Sequence, residues 1–110
     1  MSANECRPGA IVAAMQALDA SGLNTGSAGN ASCRSTTGGV WITPSGVPAE
    51  ALAESSIVEL SMSGEVASAG LVPSSEWRLH RDIYVARPDV RAIVHTHSSY
   101  ATALAGHRRD

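Results

Sequence analysis

The run VRAIVHTH at residues 90–97 constrains the fold more than any other segment. It is apolar and rich in β-branched residues, which pack well on a pleated surface, so it predicts a buried β-strand. Pro88 lies just before the run and disfavours a helical backbone at the residue that precedes it. Because Ser is a strong helix N-cap, Ser74 and Ser75 predict the start of a helix over residues 76–87.

The other predicted elements are two helices and three strands. Apolar residues recur at helical spacing over residues 8–21, and Gly22 is placed to end that helix in a left-handed conformation. Strands are predicted at residues 31–35, 40–43 and 57–60, with a turn at 37–39, and a last helix is predicted from Ser98 or Ser99 to Leu104. This order predicts an α/β or α+β fold, in which helices pack against a sheet.

Composition and charge exclude several classes of protein. With 110 residues, 44% of them apolar and 16% charged, the chain is typical of a single soluble globular domain over residues 1–110. The net charge of −2 and the scattered basic residues argue against nucleic-acid binding. The N-terminal segment resembles neither a signal peptide nor a membrane span, so a cytoplasmic protein without a membrane partner is expected. Cys6 and Cys33 are expected to be reduced thiols, although the sequence leaves a disulfide open.

His95 and His97 form the sharpest chemical feature, at the end of the predicted strand. Residues two apart on a strand share a face, with Cα atoms roughly 6.5–7 Å apart, so both imidazoles could bind one metal ion. Histidines near strand ends are also often surface or hydrogen-bonded residues, but a polar pair after an apolar run would be costly to bury without partners. A catalytic zinc usually has three protein ligands, and Glu76, His80 and His107 are the local candidates.

These candidates have alternative roles. Glu76 is predicted in the first turn of its helix, where it could bind a metal, act as a base or simply stabilise the helix. His80 is expected to pack or cap, and His107 lies near the end of the chain. The helix start at Ser74 and Ser75 is also a candidate anion site, because its first N–H groups have no partner within the helix.

Four motifs together resemble the class II aldolase/adducin family. They are GLNTGSAGNAS at 22–32, ITPSG at 42–46, PSSEWRLH at 73–80 and VHTHS at 94–98. They occur in the family's order and at similar separations, so the chain resembles the N-terminal portion of such a domain. The resemblance implies a three-layer-like α/β fold, with a mixed or antiparallel central sheet flanked by helices and truncated at its C-terminus.

The resemblance also implies a role for each motif residue. Glu76 corresponds to the family's acid/base residue, and His95 and His97 correspond to two zinc ligands, with Glu76 as a further candidate ligand. The implied cofactor is Zn²⁺ or another divalent cation. The residues expected to hold the phosphate of a small sugar-phosphate substrate are Asn30, Ser45, Gly46, Ser74 and Ser75.

The implied reaction is the lyase reaction of a class II aldolase, which cleaves a ketose 1-phosphate into dihydroxyacetone phosphate and an aldehyde, with the metal as Lewis acid. Epimerases, dehydratases and decarboxylases of the same family are alternatives, although the epimerases typically carry Asp at the position of Glu76. A non-catalytic adducin-like interaction module is another alternative, and the presence of His95 and His97 argues against it. Family members are longer homo-oligomers, typically tetramers, whose third zinc-binding His lies downstream of residue 110. The 110 residues alone are therefore expected to bind zinc weakly and to show little activity.

Overall fold

The computed structural model describes residues 6–22, 29–67 and 71–96, which contain two α-helices, four strands and two short 3₁₀ turns. The helices are α1, Pro8–Ala20, and α2, Trp77–Ala86. The strands are β1, Asn30–Arg34, β2, Val40–Ile42, β3, Val58–Leu60, and β4, Ala92–His95. The 3₁₀ turns at Ala49–Ala51 and Glu54–Ser56 lie between β2 and β3. No helix in this part of the chain is long and apolar enough to cross a membrane.

The strands form one sheet in the order β3-β2-β1-β4, and each neighbouring pair is antiparallel. β1 is an inner strand, because Ser32 lies opposite Ile42 of β2 on one side and opposite Ile93 of β4 on the other. Alternate residues of a strand point to opposite faces. β1 therefore presents its odd-numbered residues to one side of the sheet and its even-numbered residues to the other.

Each face of the sheet is covered by one helix. On the odd face, Ala31 and Cys33 pack with Ile11 and Met15 of α1 in one buried cluster. On the even face, Tyr84 of α2 packs with apolar side chains of β2, β3 and β4 in a second cluster. Helix, sheet and helix make three layers. The predicted helix-flanked sheet is confirmed, and its described strands are antiparallel throughout.

The sequence of α1 explains its limits and its buried face. Pro8 is the first helical residue, where a missing backbone N–H has no helical partner to lose. Ile11 and Met15 lie four residues apart and are both buried, so one stripe of the helix faces the sheet. Gly22 has φ of +84°, a left-handed conformation that suits glycine and stops the helix. The predicted helix and its terminator are confirmed.

The predicted hairpin of β1 and β2 is confirmed. Gly39, just before β2, allows the hairpin to lie close to the backbone at the end of β3. The N–H of Gly39 donates to Oγ of Ser35 at 3.1 Å, and its carbonyl accepts from the N–H of Ser35 at 2.9 Å. A Cβ atom at position 39 would lie 2.0 Å from the backbone oxygen of Leu60. Because that neighbour is backbone, it cannot swing away, and only glycine fits without moving the strands.

Gly39→Ala is therefore expected to lower the free energy of unfolding by about 3 kcal/mol, the upper end of the usual cost of overpacking. The matched control is Gly9→Ala in α1, where the nearest atom is Oε2 of Glu54, at the end of a flexible side chain. That control should be neutral or gain up to about 1 kcal/mol from helix propensity. Urea denaturation of both variants measures the difference, and equal stabilities would contradict the backbone contact.

The start of α2 differs from the predicted serine cap. Glu76 occupies the N-cap position, one residue before the first helical residue, Trp77. Ser74 instead forms the preceding turn, in which its Oγ accepts the N–H of Glu76 at 3.2 Å and its carbonyl accepts the N–H of Trp77 at 3.1 Å. Trp77 is half-buried beside the even-face cluster, whereas Trp41 packs on the odd face.

The predicted strand after Pro88 begins later than its apolar pattern indicated. Val90 closes a turn in which its N–H donates to the carbonyl of Arg87 at 3.0 Å. Strand β4 starts at Ala92. Arg34 of β1 holds this turn, because its guanidinium donates to the carbonyls of Val90, Tyr84 and Arg87. These carbonyls, and not propensity, decide where the strand begins. The predicted helix after Ser98 lies outside the described residues.

Cys6 and Cys33 form a disulfide, so the expectation of two reduced thiols was wrong. Cys33 lies on the odd face of β1 and Cys6 lies two residues before the start of α1, and their Cα atoms are 5.9 Å apart. The packing of α1 on that face brings the two residues together. The sequence spacing of two isolated cysteines carries no such information.

Cys6→Ser is expected to lower the free energy of unfolding by about 3–4 kcal/mol, because the bridge closes a loop across a separation of 27 residues. Reduction of the parent protein should lower it by a similar amount and leave the variant unchanged. Denaturant midpoints with and without reductant measure both effects. Alkylation of two thiols in denatured, unreduced protein would contradict the disulfide.

Candidate active site

The ITPSG and PSSE motifs lie side by side in the structure. The N–H of Ser45 donates to the carbonyl of Val72 at 2.8 Å, and the N–H of Ser74 donates to the carbonyl of Thr43 at 2.9 Å. The two prolines between these residues form an isolated antiparallel β-bridge. This short ladder joins two motifs that the sequence places far apart.

Thr43 also joins this ladder to the beginning of β1. Its Oγ1 accepts the N–H of Ala31 at 3.2 Å, and its own N–H donates to the carbonyl of Ala31 at 3.0 Å. Asn30, predicted in the preceding loop, is instead the first residue of β1 and is buried. The reason is its pairing with His95 of β4, which extends the strand by one residue.

Glu76, Asn30 and His95 meet at one carboxylate oxygen. Nδ2 of Asn30 donates to Oε1 of Glu76 at 2.9 Å, and Nδ1 of His95 lies 2.6 Å from the same oxygen. Because a carboxylate only accepts, Nδ1 of His95 is the donor. The side chains of His95 and Glu76 are 24% and 37% exposed, so a ligand from solvent can reach them.

The donor set fits a zinc-type ion. A histidine whose Nδ1–H is held by a carboxylate is oriented to bind a metal through Nε2, as in many metal centres. Imidazole nitrogen and carboxylate oxygen are both zinc ligands. Among residues 6–22, 29–67 and 71–96, no three His, Cys, Asp or Glu side chains group closely enough to hold an ion. His97 and His107 lie outside the described residues, so their roles stay predictions.

The residues predicted to bind phosphate are brought to the same end of the sheet. Ser45 is exposed and Ser74 is buried on the paired segments, and Ser75 is exposed just before α2. Gly46 turns the chain away from the ladder with φ of +75°. The paired segments therefore lie at the end of the sheet where β1 begins, and phosphate binding by these residues stays a prediction.

His80 lies behind this cluster, fully buried against the even face of β1. Its Nδ1 is 2.6 Å from Oγ of Ser32, and its Nε2 is hydrogen-bonded to Oδ1 of Asn30. The pKa of His80 is lowered from 6.5 to about 4, mainly because burial disfavours the charged ring; the nearby His95 also lowers it, and Glu76 partly opposes both. The ring is therefore neutral at pH 7. The expectation that His80 packs is confirmed, and both ring nitrogens already have protein partners.

Sequence reasoning missed Ser32 and Tyr84. Oγ of Ser32 lies 2.7 Å from the hydroxyl of Tyr84, and burial raises the pKa of that hydroxyl to about 12. A signal was present: Ser32 follows Asn30 at strand spacing, and Tyr84 follows His80 at helical spacing. Two polar pairs with these periods predict one polar seam between a strand and a helix.

A sequence profile described as Class II Aldolase and Adducin N-terminal domain matches residues 9–110. The chain belongs to this family. The resemblance carried by the four motifs is thereby confirmed.

Two relatives within the class II aldolase family come from Escherichia coli. One, named 5-methylthioribulose-1-phosphate/5-deoxyribulose-1-phosphate aldolase, is 43% identical over 100 residues, which are 91% of this chain and 46% of the relative. The other, named L-fuculose phosphate aldolase, is 48% identical over 84 residues, which are 76% of this chain and 38% of the relative. The chain thus spans less than half the length of these relatives.

A solved structure of L-fuculose 1-phosphate aldolase is similar to this class II aldolase domain. It superposes with a TM-score of 0.80 at 30% sequence identity, over 90% of this chain and 49% of the other. The likeness confirms the predicted fold class, and it shows that this chain corresponds to about half of the solved aldolase chain.

The buried His80 makes stability depend on pH. The unfolded chain protonates this ring near pH 6.5, whereas the native protein does so only near pH 4. The unfolded state then binds more protons between these values, so the free energy of unfolding should fall as pH decreases from about 6.5 to about 4, by roughly 3 kcal/mol in total. Urea midpoints of the parent protein across this window measure the fall. His80→Gln should lack this component, and the same pH dependence in both proteins would contradict it.

Proposed function

We propose that this chain supplies the acid/base residue and two metal ligands of a zinc-dependent aldehyde-lyase, which cleaves a ketose 1-phosphate into dihydroxyacetone phosphate and an aldehyde. The observation that carries the proposal is the contact between Glu76 and His95, at 2.6 Å, beside the two joined loop motifs. Membership of the class II aldolase family and the names of the relatives support the reaction class. The proposed location is the cytoplasm, and the proposed assembly is a homo-oligomer.

The paired loops are the proposed site for the substrate phosphate. Backbone amides and hydroxyls of small residues let an anion approach closely. Asn30, Ser45, Gly46, Ser74 and Ser75 are the proposed contacts. Holding the phosphate there fixes the distance between the sugar carbons and the carboxylate of Glu76, so the same carbon is always presented to the carboxylate.

His95 and His97 are the proposed ligands of Zn²⁺ or another divalent cation. Glu76 is a further candidate ligand in an arrangement in which it releases Nδ1 of His95, because Nε2 faces away from the carboxylate in the present contact. When bound, the ion supplies Lewis-acid stabilisation of negative charge on the substrate oxygens. The chain's own contribution is proton transfer by Glu76, whose carboxylate is held in place by N–H donors from Asn30 and His95. Positioned general acid/base groups typically contribute about 10²–10⁴-fold to rate.

Two kinds of ketose 1-phosphate are candidate substrates. The name of one relative favours L-fuculose 1-phosphate, and the name of the other favours a 5-deoxy or 5-methylthio pentulose 1-phosphate. Both candidate substrates share the ketose 1-phosphate end, and they differ in the part remote from the phosphate. Epimerase, dehydratase and decarboxylase activities of the same family are separated from the lyase by their products, because only the lyase releases dihydroxyacetone phosphate. An adducin-like interaction module would release none of these products and would not need the metal.

The proposal is tested first by metal binding. Addition of Zn²⁺ should raise the thermal unfolding temperature of the parent chain, and both His95→Ala and Glu76→Gln should weaken the apparent zinc affinity by about tenfold or more. Glu50→Gln changes an exposed carboxylate on a 3₁₀ turn and should leave it unchanged. Equal zinc-dependent shifts in the parent and His95→Ala would favour the interaction-module alternative.

A further inference from the structure

A chain of buried hydrogen bonds leads from the core of the even face to the carboxylate of Glu76. Its members are Tyr84, Ser32, His80 and Asn30, each at most 5% exposed. We propose that His80 is a positioning residue: as the Nε2–H tautomer it fixes the orientation of the Asn30 amide and thereby aims the Glu76 carboxylate. This inference rests on the proposed role of Glu76, and it extends the site to His80, Ser32 and Tyr84, which are buried behind Asn30.

The direction of the first two hydrogen bonds follows from the carboxylate. Glu76 offers only acceptors, so the atom of Asn30 that faces it at 2.9 Å is the amide nitrogen, Nδ2. The amide oxygen, Oδ1, then points the other way, to Nε2 of His80. Because Oδ1 can only accept, Nε2 has to carry the proton.

The other end of the ring selects the same tautomer. A neutral imidazole has one N–H, so Nδ1 accepts, and the hydroxyl of Ser32 at 2.6 Å is its donor. The oxygen of Ser32 can in turn accept from the hydroxyl of Tyr84 at 2.7 Å. Every donor in the series meets an acceptor, and no member can reverse by itself without bringing two acceptors or two donors together.

Reversal of the Asn30 amide would have a direct cost at the site. Its carbonyl oxygen would face Oε1 of Glu76, where two acceptors repel, and its Nδ2 would face the Nε2–H of His80, which would leave that buried donor without an acceptor. The correct orientation has a second benefit. An amide nitrogen carries two hydrogens, so Asn30 can donate one to Glu76 and direct the other toward the proposed phosphate loops.

NMR spectroscopy of the chain without metal or substrate tests the proposal directly. The ring nitrogens of His80 should show a protonated Nε2 and an unprotonated Nδ1 at neutral pH. One Nδ2 proton of Asn30 should be shifted downfield and protected from exchange by its bond to Glu76. His80→Leu should lose this Asn30 signature, whereas His80→Gln, whose side-chain amide can donate in place of Nε2–H, should restore most of it.

Two further variants keep the test decisive if the leucine variant fails to fold. Ser32→Ala leaves Nδ1 without its donor, but Nε2–H still meets Oδ1 of Asn30, so His80 should keep the Nε2–H tautomer and the Asn30 signature should persist. Tyr84→Phe is the matched control, because it removes a buried hydroxyl from the same series but leaves the Ser32–His80 bond. Its His80 and Asn30 signals should match the parent. An Nδ1–H tautomer in the parent or in Ser32→Ala, or loss of the Asn30 signature in His80→Gln, would overturn the proposal.

The readout also separates this inference from the proposed function. The His80 and Asn30 signals require neither zinc nor turnover, so a negative zinc titration with an intact signature would count against the enzyme and not against the positioning. A positive zinc titration without the His80 and Asn30 signature would count against the positioning role and not against the enzyme.

Discussion

The register between β1 and β4 is the constraint on which the candidate site depends. Asn30 lies opposite His95, so two residues far apart in sequence emerge together on the even face. A shift of one residue in either strand would send one of the two side chains to the α1 side of the sheet, because side chains alternate along a strand. The buried apolar residues of the odd face oppose such a shift. The buried apolar cluster between α1 and the sheet therefore stabilises the pairing of Asn30 with His95 on the face covered by α2.

Helix α2 is fixed at both ends by polar contacts with the sheet layer. At its N-terminal end, Glu76 is bonded to Asn30 and His95, and the preceding Ser74 is joined to Thr43. At its C-terminal end, Arg34 donates to three carbonyls. Fixing both ends limits sliding of the helix along the sheet, and that sliding is the motion that would separate Glu76 from His95.

Local patterns predicted much of this structure. The apolar spacing of α1, the turn glycines of the hairpin and the linked motifs around Asn30, Glu76 and His95 all act over short stretches of sequence. The remaining features depend on contacts between distant segments. The late start of β4 depends on the carbonyls bound by Arg34, and the disulfide depends on the packing of α1. The polar seam was missed for a similar reason: the spacings of Asn30 and Ser32 and of His80 and Tyr84 indicate it, but Ser32 resembles any small residue of a buried strand until Tyr84 and His80 are placed against it.

The location of Trp77 has a practical consequence. The chain contains two tryptophans, and they lie on opposite faces of the sheet, with Trp77 immediately after Glu76 and Trp41 beside α1. Indole fluorescence responds to the charge and polarity of its surroundings. Replacement of Trp41 by another aromatic residue would leave a single tryptophan, at the edge of the site. Its emission would then report the arrival of a cation or a phosphate ester without any attached dye.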